Sequence, residues 1–504
     1  MNSVPLLSIA TWLPALGALL LLFVRERGAQ RILALGVSLA TLAAAVAAFG
    51  SYNVAQSGLQ LVEKIAWVPS LGLSYYLGVD GINLALLVLT ALMMPFAINA
   101  TSTENRAGTA YSLLLLLETG IIGTFLAQDL ILFYAFFEFT LVPTALLLGI
   151  WGGEERSKAA ATFFIYTFAG SLFMLVAIIS LYLINSQQSG VATFEYPFIR
   201  AALEGGTTRL LPETERLLFG GFFIAFAIKI ALWPFHTWMP LLHSQTPGDG
   251  SVDIAAVLLK VIGGYGLVRF TLTIFPDAAE WAAPAIGVLA VIGTLYGAWV
   301  AYSQTDMKRL LAYSSVSHLS FVVLGIFALN QQGISGALLQ LVNYGITTGA
   351  LFLVVAALEA RFNTRNPKEL GGLWRTMPNF GGVTLILVLA SIGLPGLNGF
   401  VGEFIILQGA WLSPALGWRY MLIAVIGVIL AAVYMLVMYR QVFMGQTRAD
   451  RSEMAELEQS KLMPLTLLLI PVIVIGMYPN LILGPMQPTV AQIAQVLSAA
   501  LASR

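Results

Sequence analysis

The sequence predicts an all-α polytopic membrane protein of about fourteen transmembrane helices. Three observations carry that expectation. Of 504 residues, 58% are hydrophobic and only 10% charged, with a mean hydropathy of +0.86; a soluble domain carries about 25% charged residues. The apolar residues fall in runs of about 20, the length that crosses a hydrocarbon core. Two of those runs are broken by proline and glycine yet keep ionisable residues inside them.

Taken in order, the predicted spans lie near 4–24, 30–50, 78–100, 108–127, 130–150, 160–186, 217–243, 251–274, 280–303, 307–328, 332–360, 379–410, 417–444 and 461–480. The first lacks a basic leader and a cleavage site, so it reads as a retained helix rather than a signal peptide. The tail beyond 480 reads as an interfacial helix. Sixteen of the 25 basic residues fall in alternate loops on one side, among them Arg25, Arg27, Arg31, Arg156, Lys308, Arg365, Arg448, Arg451 and Lys461. Positive loops stay inside, so that side is expected to be cytoplasmic. The formal net charge is zero, which gives no reason to expect a nucleic-acid partner. There is no cysteine, which excludes thiolate-bound iron–sulfur clusters and thiol catalysis in this chain.

The seventh and twelfth spans are the interrupted ones. The seventh reads AIKIALWPFHTWMP, with Pro234 and Pro240; the twelfth reads ASIGLPGLNGFVGEF, with Gly393, Pro395, Gly396 and Gly399. Proline frees helical carbonyls. Broken helices at corresponding places in two halves point to inverted repeats around a midplane ion site. Lys229 precedes the first break and Glu403 follows the second, the reversal that opposite topology would give.

A charge at mid-membrane costs roughly 2.5–3.5 kcal/mol on insertion scales, so such residues face protein or water and mark ion pathways. Four stand out: Glu138 in the fifth span, Lys229 in the seventh, Lys260 in the eighth and Glu403 in the twelfth. Three of them have a bland alternative. Glu138 and Lys229 are natural partners, and a locked helix–helix ion pair would serve structure alone. Glu403 would serve as a helix N-terminal carboxylate satisfied by the dipole. Histidine ordinarily titrates near neutral pH, and His236, just after the first break, is placed to relay a proton between Lys229 and Lys260. His318, in the tenth span beside Ser314, Ser315 and Ser317, is a second relay if the serines hold water, or a satisfied core histidine if they do not. His243 falls in the loop PLLHSQTPGDGS. Asp253 lies seven residues before Lys260 and thus on much the same helix face. It and His243 are candidates for cytoplasmic proton uptake, against a plain helix-start acid and a loop residue. Arg269 is expected to snorkel outward, Asp129 to cap a helix, and Glu118 to lie within the membrane. No phosphate loop, metal-ligand cluster or nucleophile triad occurs.

The stretches FFEFTLVPTALLLGIWG, AFAIKIALWPFHTWMP, AAVLLKVIGGYGLVRF, DMKRLLAYSSVSHLSFVVLGIFA, GALLQLVNYGITTGALFLV and LASIGLPGLNGFVGEF resemble, in order and spacing, the antiporter-like subunits of respiratory complex I. Glutamate at position 403 resembles the NuoM/NdhD type (chain 4). The wording LVEKIAWVPSLGLSYYLGVDGINLALLVLT looks closest to the photosynthetic, cyanobacterial and chloroplast form. The resemblance implies fourteen helices with two inverted five-helix repeats, at 108–274 and 275–445, between N-terminal helices at 1–107 and a C-terminal helix and tail at 446–504. It implies proton translocation through Glu138, Lys229, Lys260 and Glu403, with His236 and His318 on the axis. Redox chemistry would sit in partner subunits that hold quinone and iron–sulfur clusters, this chain having no cofactor or metal of its own. The implied complex is an NAD(P)H or ferredoxin–quinone (plastoquinone) oxidoreductase. Its implied partners are neighbouring antiporter-like membrane-arm subunits and lipid, in a thylakoid or bacterial inner membrane.

Two departures accompany the resemblance. The loop after HTWMP reads LLHSQTPGDG from Leu241, and Tyr344 in LVNYGI stands where the family has a histidine. Tyr344 is expected to hold water in the relay without storing a proton. Such changes are consistent with a paralogue devoted to inorganic-carbon uptake, with a carbonic-anhydrase-like partner. The competing function is a subunit of a multi-subunit Na+(K+)/H+ antiporter, and a third is a scaffold that conducts nothing.

Overall fold

The computed structural model describes residues 4–56, 58–102, 105–446 and 455–502; Arg448 and Arg451 lie outside them. Long apolar runs become helices because lipid leaves every backbone group to be satisfied within its own segment. Among the described residues, eleven helical stretches are long and apolar enough to span. With the shorter α1 (Leu6–Leu21) and the two broken helices, the described residues supply the fourteen expected spans.

From α1 the chain passes through α2 (Arg27–Ser51), strands β1 (Gln60–Val68) and β2 (Leu73–Val79), α3 (Gly81–Ala100) and α4 (Ala107–Leu126). The fifth span is α5 (Leu130–Phe139) and α6 (Leu141–Trp151), joined at Thr140. Then come α7 (Arg156–Ser189), the short α8 (Tyr196–Glu204), and the first broken helix, α9 (Pro212–Ile230) and α10 (Trp238–Gln245). The eighth span is α11 (Ser251–Gly266), a π turn (Leu267–Thr271) and α12 (Leu272–Ile274). Next are α13 (Pro276–Ser303), α14 (Met307–Ile326), α15 (Gln331–Phe362), and the second broken helix, α16 (Pro378–Ser391) and α17 (Asn398–Leu412). α18 (Trp418–Phe443), α19 (Gln459–Met477) and α20 (Asn480–Ala502) close the chain.

The antiparallel pair β1–β2 was not expected. It lies on the face opposite the basic loops, and Glu63 from β1 accepts the amides of Leu7 and Ser8 at 2.8 and 2.9 Å. It thereby caps α1, whose own N-cap, Pro5, makes no side-chain cap. Burying four orphan amides without such partners is costly. On the same face α20 packs across the start of α3. Its Pro485 carbonyl lies where a Cβ on Gly81 would stand.

Arg269 does not snorkel. It sits in the π turn, 3% exposed, with both terminal nitrogens 2.6 Å from the two oxygens of Asp80. Asp80 also caps α3, accepting from the Ile82 and Asn83 amides. A bidentate guanidinium–carboxylate fork satisfies both charges away from water, which removes the need to reach the surface. Asp129 is a cap, as expected, accepting from Ile131 and Leu132 at the start of α5. Glu118 is buried, with Ser38 donating to it at 3.2 Å.

Candidate functional site

Both broken helices end in the same local geometry. In α9 the amide of Leu232 reaches back to the Ala227 carbonyl at 2.9 Å, around Ala231 at φ 61°. In α16 the amide of Leu394 reaches Leu389 at 3.0 Å, around Gly393 at φ 75°. This six-to-one closure needs a left-handed residue. Glycine adopts it freely, whereas alanine crowds its Cβ there. The peptide Trp233–Pro234 that follows the first break is cis.

The first break sets Lys229 in the last turn of α9, 1% exposed. Its Nζ donates to Thr140 Oγ1 at 2.9 Å and lies 4.5 Å from the Phe137 ring centroid. Thr140 joins α5 to α6, and its hydroxyl also donates to the Phe137 carbonyl. Glu138 is on the last turn of α5, half-buried, with Oε1 enclosed and unpartnered. No carboxylate among the described residues stands within 4.0 Å of Lys229, so the locked Glu138–Lys229 pair is absent. Thr140 was missed by sequence reasoning. Its only signal was a hydroxyl two residues after an intramembrane acid.

Lys260 is placed differently. It is wholly buried in α11, and its Nζ is 2.9 Å from His243 Nε2 and 3.4 Å from Met239 Sδ. Its ammonium also faces the Tyr344 ring, 5.6 Å from the centroid. His243 Nδ1 is 2.8 Å from Asp253 Oδ1, which also accepts from Thr246 at 2.7 Å. Asp253 Oδ2 is 3.0 Å from Lys308 Nζ. Lys308 in turn is 3.9 Å from Glu359, Glu359 3.9 Å from Arg365, and Arg365 3.0 Å from Asp306. Lys260, His243, Asp253 and Lys308 are wholly buried, whereas the Arg365 and Asp306 side chains are 28% and 23% exposed. The result is a ladder of side chains from mid-membrane to the basic face.

Two histidine expectations change accordingly. His243 is not a loop residue: the short helix α10 runs to Gln245 and carries His243 onto Lys260, with its ring stacked on Phe352. His236 touches neither lysine. It lies in the break, its ring packed against Tyr296 of α13 and Tyr313 of α14, with Nδ1 buried and unpartnered. The tight turn from Ala231 to Thr237 swings it toward the second half of the chain.

Beyond Lys260, the Tyr344 ring borders a small polar pocket lined by His318, Gln340, Asn343, Thr347 and Ser391. On its far side His318 Nδ1 is 3.7 Å from Glu403 Oε1. Glu403 is 6% exposed, in the second turn of α17, so it does not cap that helix. Its carboxylate lies against Gly393, where a Cβ would collide with Oε2. The serines near His318 are committed to protein rather than to its ring. Ser314 pairs with Tyr434, while Ser315 and Ser317 bond the Leu311 and Thr294 carbonyls. Asn398 holds this region together by bonding Thr347 and, through its carbonyl, Asn343.

The family profile described as "NADH:quinone oxidoreductase/Mrp antiporter, TM" matches residues 127–437. The chain is 40% identical to NADH-quinone oxidoreductase subunit M of Rhodobacter capsulatus, over 97% of this chain and 96% of that protein. It is 37% identical to NAD(P)H-quinone oxidoreductase chain 4 1 of a Nostoc species, over 95% and 89%. In structure it is similar to a chain of respiratory complex I from Thermus thermophilus, with a TM-score of 0.89 and 31% identity over 97% of this chain and 99% of that one. A chain of the Mrp complex from a Dietzia species shares the fold, with a TM-score of 0.83 at 20% identity, covering 99% and 100%. The cyanobacterial relative does not stand above the R. capsulatus one, so these identities do not single out a photosynthetic affiliation.

Proposed function

The chain belongs to the family of NADH:quinone oxidoreductase/Mrp antiporter transmembrane subunits, and from that premise we propose that it is the proton-translocating, membrane-arm subunit of a complex I-type quinone oxidoreductase. It performs no redox chemistry itself. Quinone and iron–sulfur clusters belong to partner subunits, and neighbouring antiporter-like subunits flank it in a bacterial inner membrane. Two five-helix repeats, 108–274 and 275–445, carry the two broken helices.

The observation that carries this reading is the ladder at Lys260. Isolated buried charges need neutralisation only, and a single partner suffices for that. Here a buried amine is joined through an imidazole to a carboxylate and onward to the basic face, read as cytoplasmic. The chemistry balances as a net movement of one proton by two coupled transfers. With Asp253 protonated and Lys260 neutral, the Asp253 O–H passes its proton to His243 Nδ1 while His243 Nε2–H passes its own to Lys260 Nζ. The products are the Asp253 carboxylate, the other imidazole tautomer and a lysine ammonium. The heavy-atom separations of 2.8 and 2.9 Å are hydrogen-bond distances for both transfers. From Lys260 the route continues past Tyr344 and the polar pocket to His318 and Glu403. Glu138 and Lys229 form the separate first-half site.

The decisive test is Lys229→Ala in the whole complex. It is expected to assemble but lose most pumping-coupled quinone reduction; wild-type turnover with wild-type proton stoichiometry overturns the proposal. The second reading, a subunit of a multi-subunit Na+(K+)/H+ antiporter, has the shared fold in its favour. Sodium-dependent exchange current from a complex lacking quinone-reductase subunits would establish it. The inorganic-carbon variant is a finer alternative, decided by whether a carbonic-anhydrase-like protein copurifies.

A further inference from the structure

Lys308 is not needed to connect Asp253 with Lys260, yet it is wholly buried and bound to the same carboxylate. Two amines, Lys260 and Lys308, therefore converge on one fully enclosed acid. A single carboxylate neutralises one ammonium, and leaving a second buried ion uncompensated costs several kcal/mol. The structure offers the second ammonium another place. Glu359 Oε2, like Asp253 Oδ2, is buried without a hydrogen-bond partner, and it lies 3.9 Å from Lys308 Nζ against 3.0 Å for Asp253. The Thr246 and Pro247 carbonyls, 3.2 and 2.8 Å from Nζ, are neutral acceptors that serve either position. Gly248 keeps the intervening turn low, since a Cβ there would press on the Glu359 carboxyl at 3.3 Å.

We infer that Lys308 is a positioning residue with two stations, Asp253 and Glu359, and that its movement between them gates proton uptake toward Lys260. This rests on the proton-translocating reading above. On Asp253, the ammonium holds that carboxylate ionised and closes it to protons from the basic face. On Glu359, it frees Asp253 to take a proton and pass it through His243. Charging Lys260 then draws Asp253 back to its ionised form, and Lys308 returns. Long, flexible lysine stems suit such a shift, whereas fixed structural pairs favour arginine. The Arg269–Asp80 fork in the same chain is of the fixed kind.

The test uses the intact complex in inside-out membrane vesicles, with NADH oxidation, dye-detected acidification and passive proton back-flow each read separately, and assembly checked on native gels. Lys308→Met is expected to raise passive back-flow by roughly tenfold, within the range of coupling changes known for single residues. Glu359→Gln removes the open station and is expected to lower acidification per NADH without raising back-flow. Lys308→Arg is expected to rescue the back-flow but not the full pumping rate. If Lys308→Met fails to assemble, Glu359→Gln, at a partly exposed site, decides alone. Wild-type acidification and back-flow in Glu359→Gln overturn the inference. Should Lys229→Ala and Lys260→Ala also pump normally, the translocation reading itself has failed; should they abolish pumping while Glu359→Gln is silent, only the gate has failed.

Discussion

Lys229 and Lys260 are both buried amines on apolar helices, but their connections differ. Lys229 has one hydroxyl and one aromatic face. Lys260 heads a ladder of hydrogen-bonded and charged groups that ends at partly exposed Arg365 and Asp306. The difference lies in the local chain. Lys229 is in the last turn before a break, and its neighbours are Phe137 of α5 and Thr140 just beyond it. Lys260 is mid-helix, facing a short helix whose residues 239 and 243, four apart, both point at it. The contrast teaches that burial alone does not define a proton site. What distinguishes the second lysine is a contiguous set of groups able to accept and release the same proton.

The largest expected effect separates the two neighbourhoods by stability. Asp253→Ala removes the nearer of the two carboxylates at Lys308 and the partner of His243 Nδ1, and is expected to cost about 3 kcal/mol, the low end for a broken buried pair. Glu138→Ala breaks no close pair and is expected to stay near the roughly 1 kcal/mol of an average substitution. Thermal denaturation of the purified complex compares them directly, and equal losses would erase the contrast. Next comes Thr140→Val, which leaves the Lys229 amine without its hydroxyl at a cost of about 1–3 kcal/mol. Acidification per NADH should fall several-fold; an unchanged ratio would mean that Thr140 merely fills space. A smaller effect is expected at the second break. Gly393→Ala forces a Cβ into a left-handed position, at about 1–2 kcal/mol, and displaces the Glu403 carboxylate. A lowered melting temperature together with reduced pumping is the predicted pair of results. The smallest is a gain: Ala231→Gly relieves the same conformation at the first break and should stabilise by a few tenths to about 1 kcal/mol. A loss in melting temperature would show that the two closures are not equivalent.

Much of this architecture was legible because lipid imposes one rule on length and one on composition. The fourteen spans, both breaks and the intramembrane charges follow from runs of about 20 apolar residues. The β1–β2 pair escaped because short, mixed strands outside the bilayer leave no such signature. Arg269 was misread because snorkelling is the default for a lone basic residue near a helix end, and its partner Asp80 is far away in sequence. His243 was misread because the PGDG that follows it signals a turn, which the chain makes one helical turn later. A Met239–His243 spacing of four, aimed at one helix face, was the available clue. Lys308 and Glu359 were counted only as cytoplasmic loop charge or passed over. Their role depends on three helices meeting, which no local pattern encodes. The separation of His236 from both lysines likewise depends on the direction the backbone takes after Ala231.

The Asp80–Arg269 fork has a consequence for how the protein is made. Its two halves are 189 residues apart. At roughly 5–20 residues per second, the carboxylate at the head of α3 is synthesised on the order of 10–40 seconds before the guanidinium that will neutralise it. During that interval Asp80 has its helix-capping contacts but not its guanidinium partner. The early helices already pack on α4, with Asn83 bonded to the Phe125 carbonyl, but the Asp80 charge itself is neutralised only when the eighth span arrives. A chain truncated before it keeps the Asp80 cap on α3 but leaves that carboxylate without its guanidinium partner.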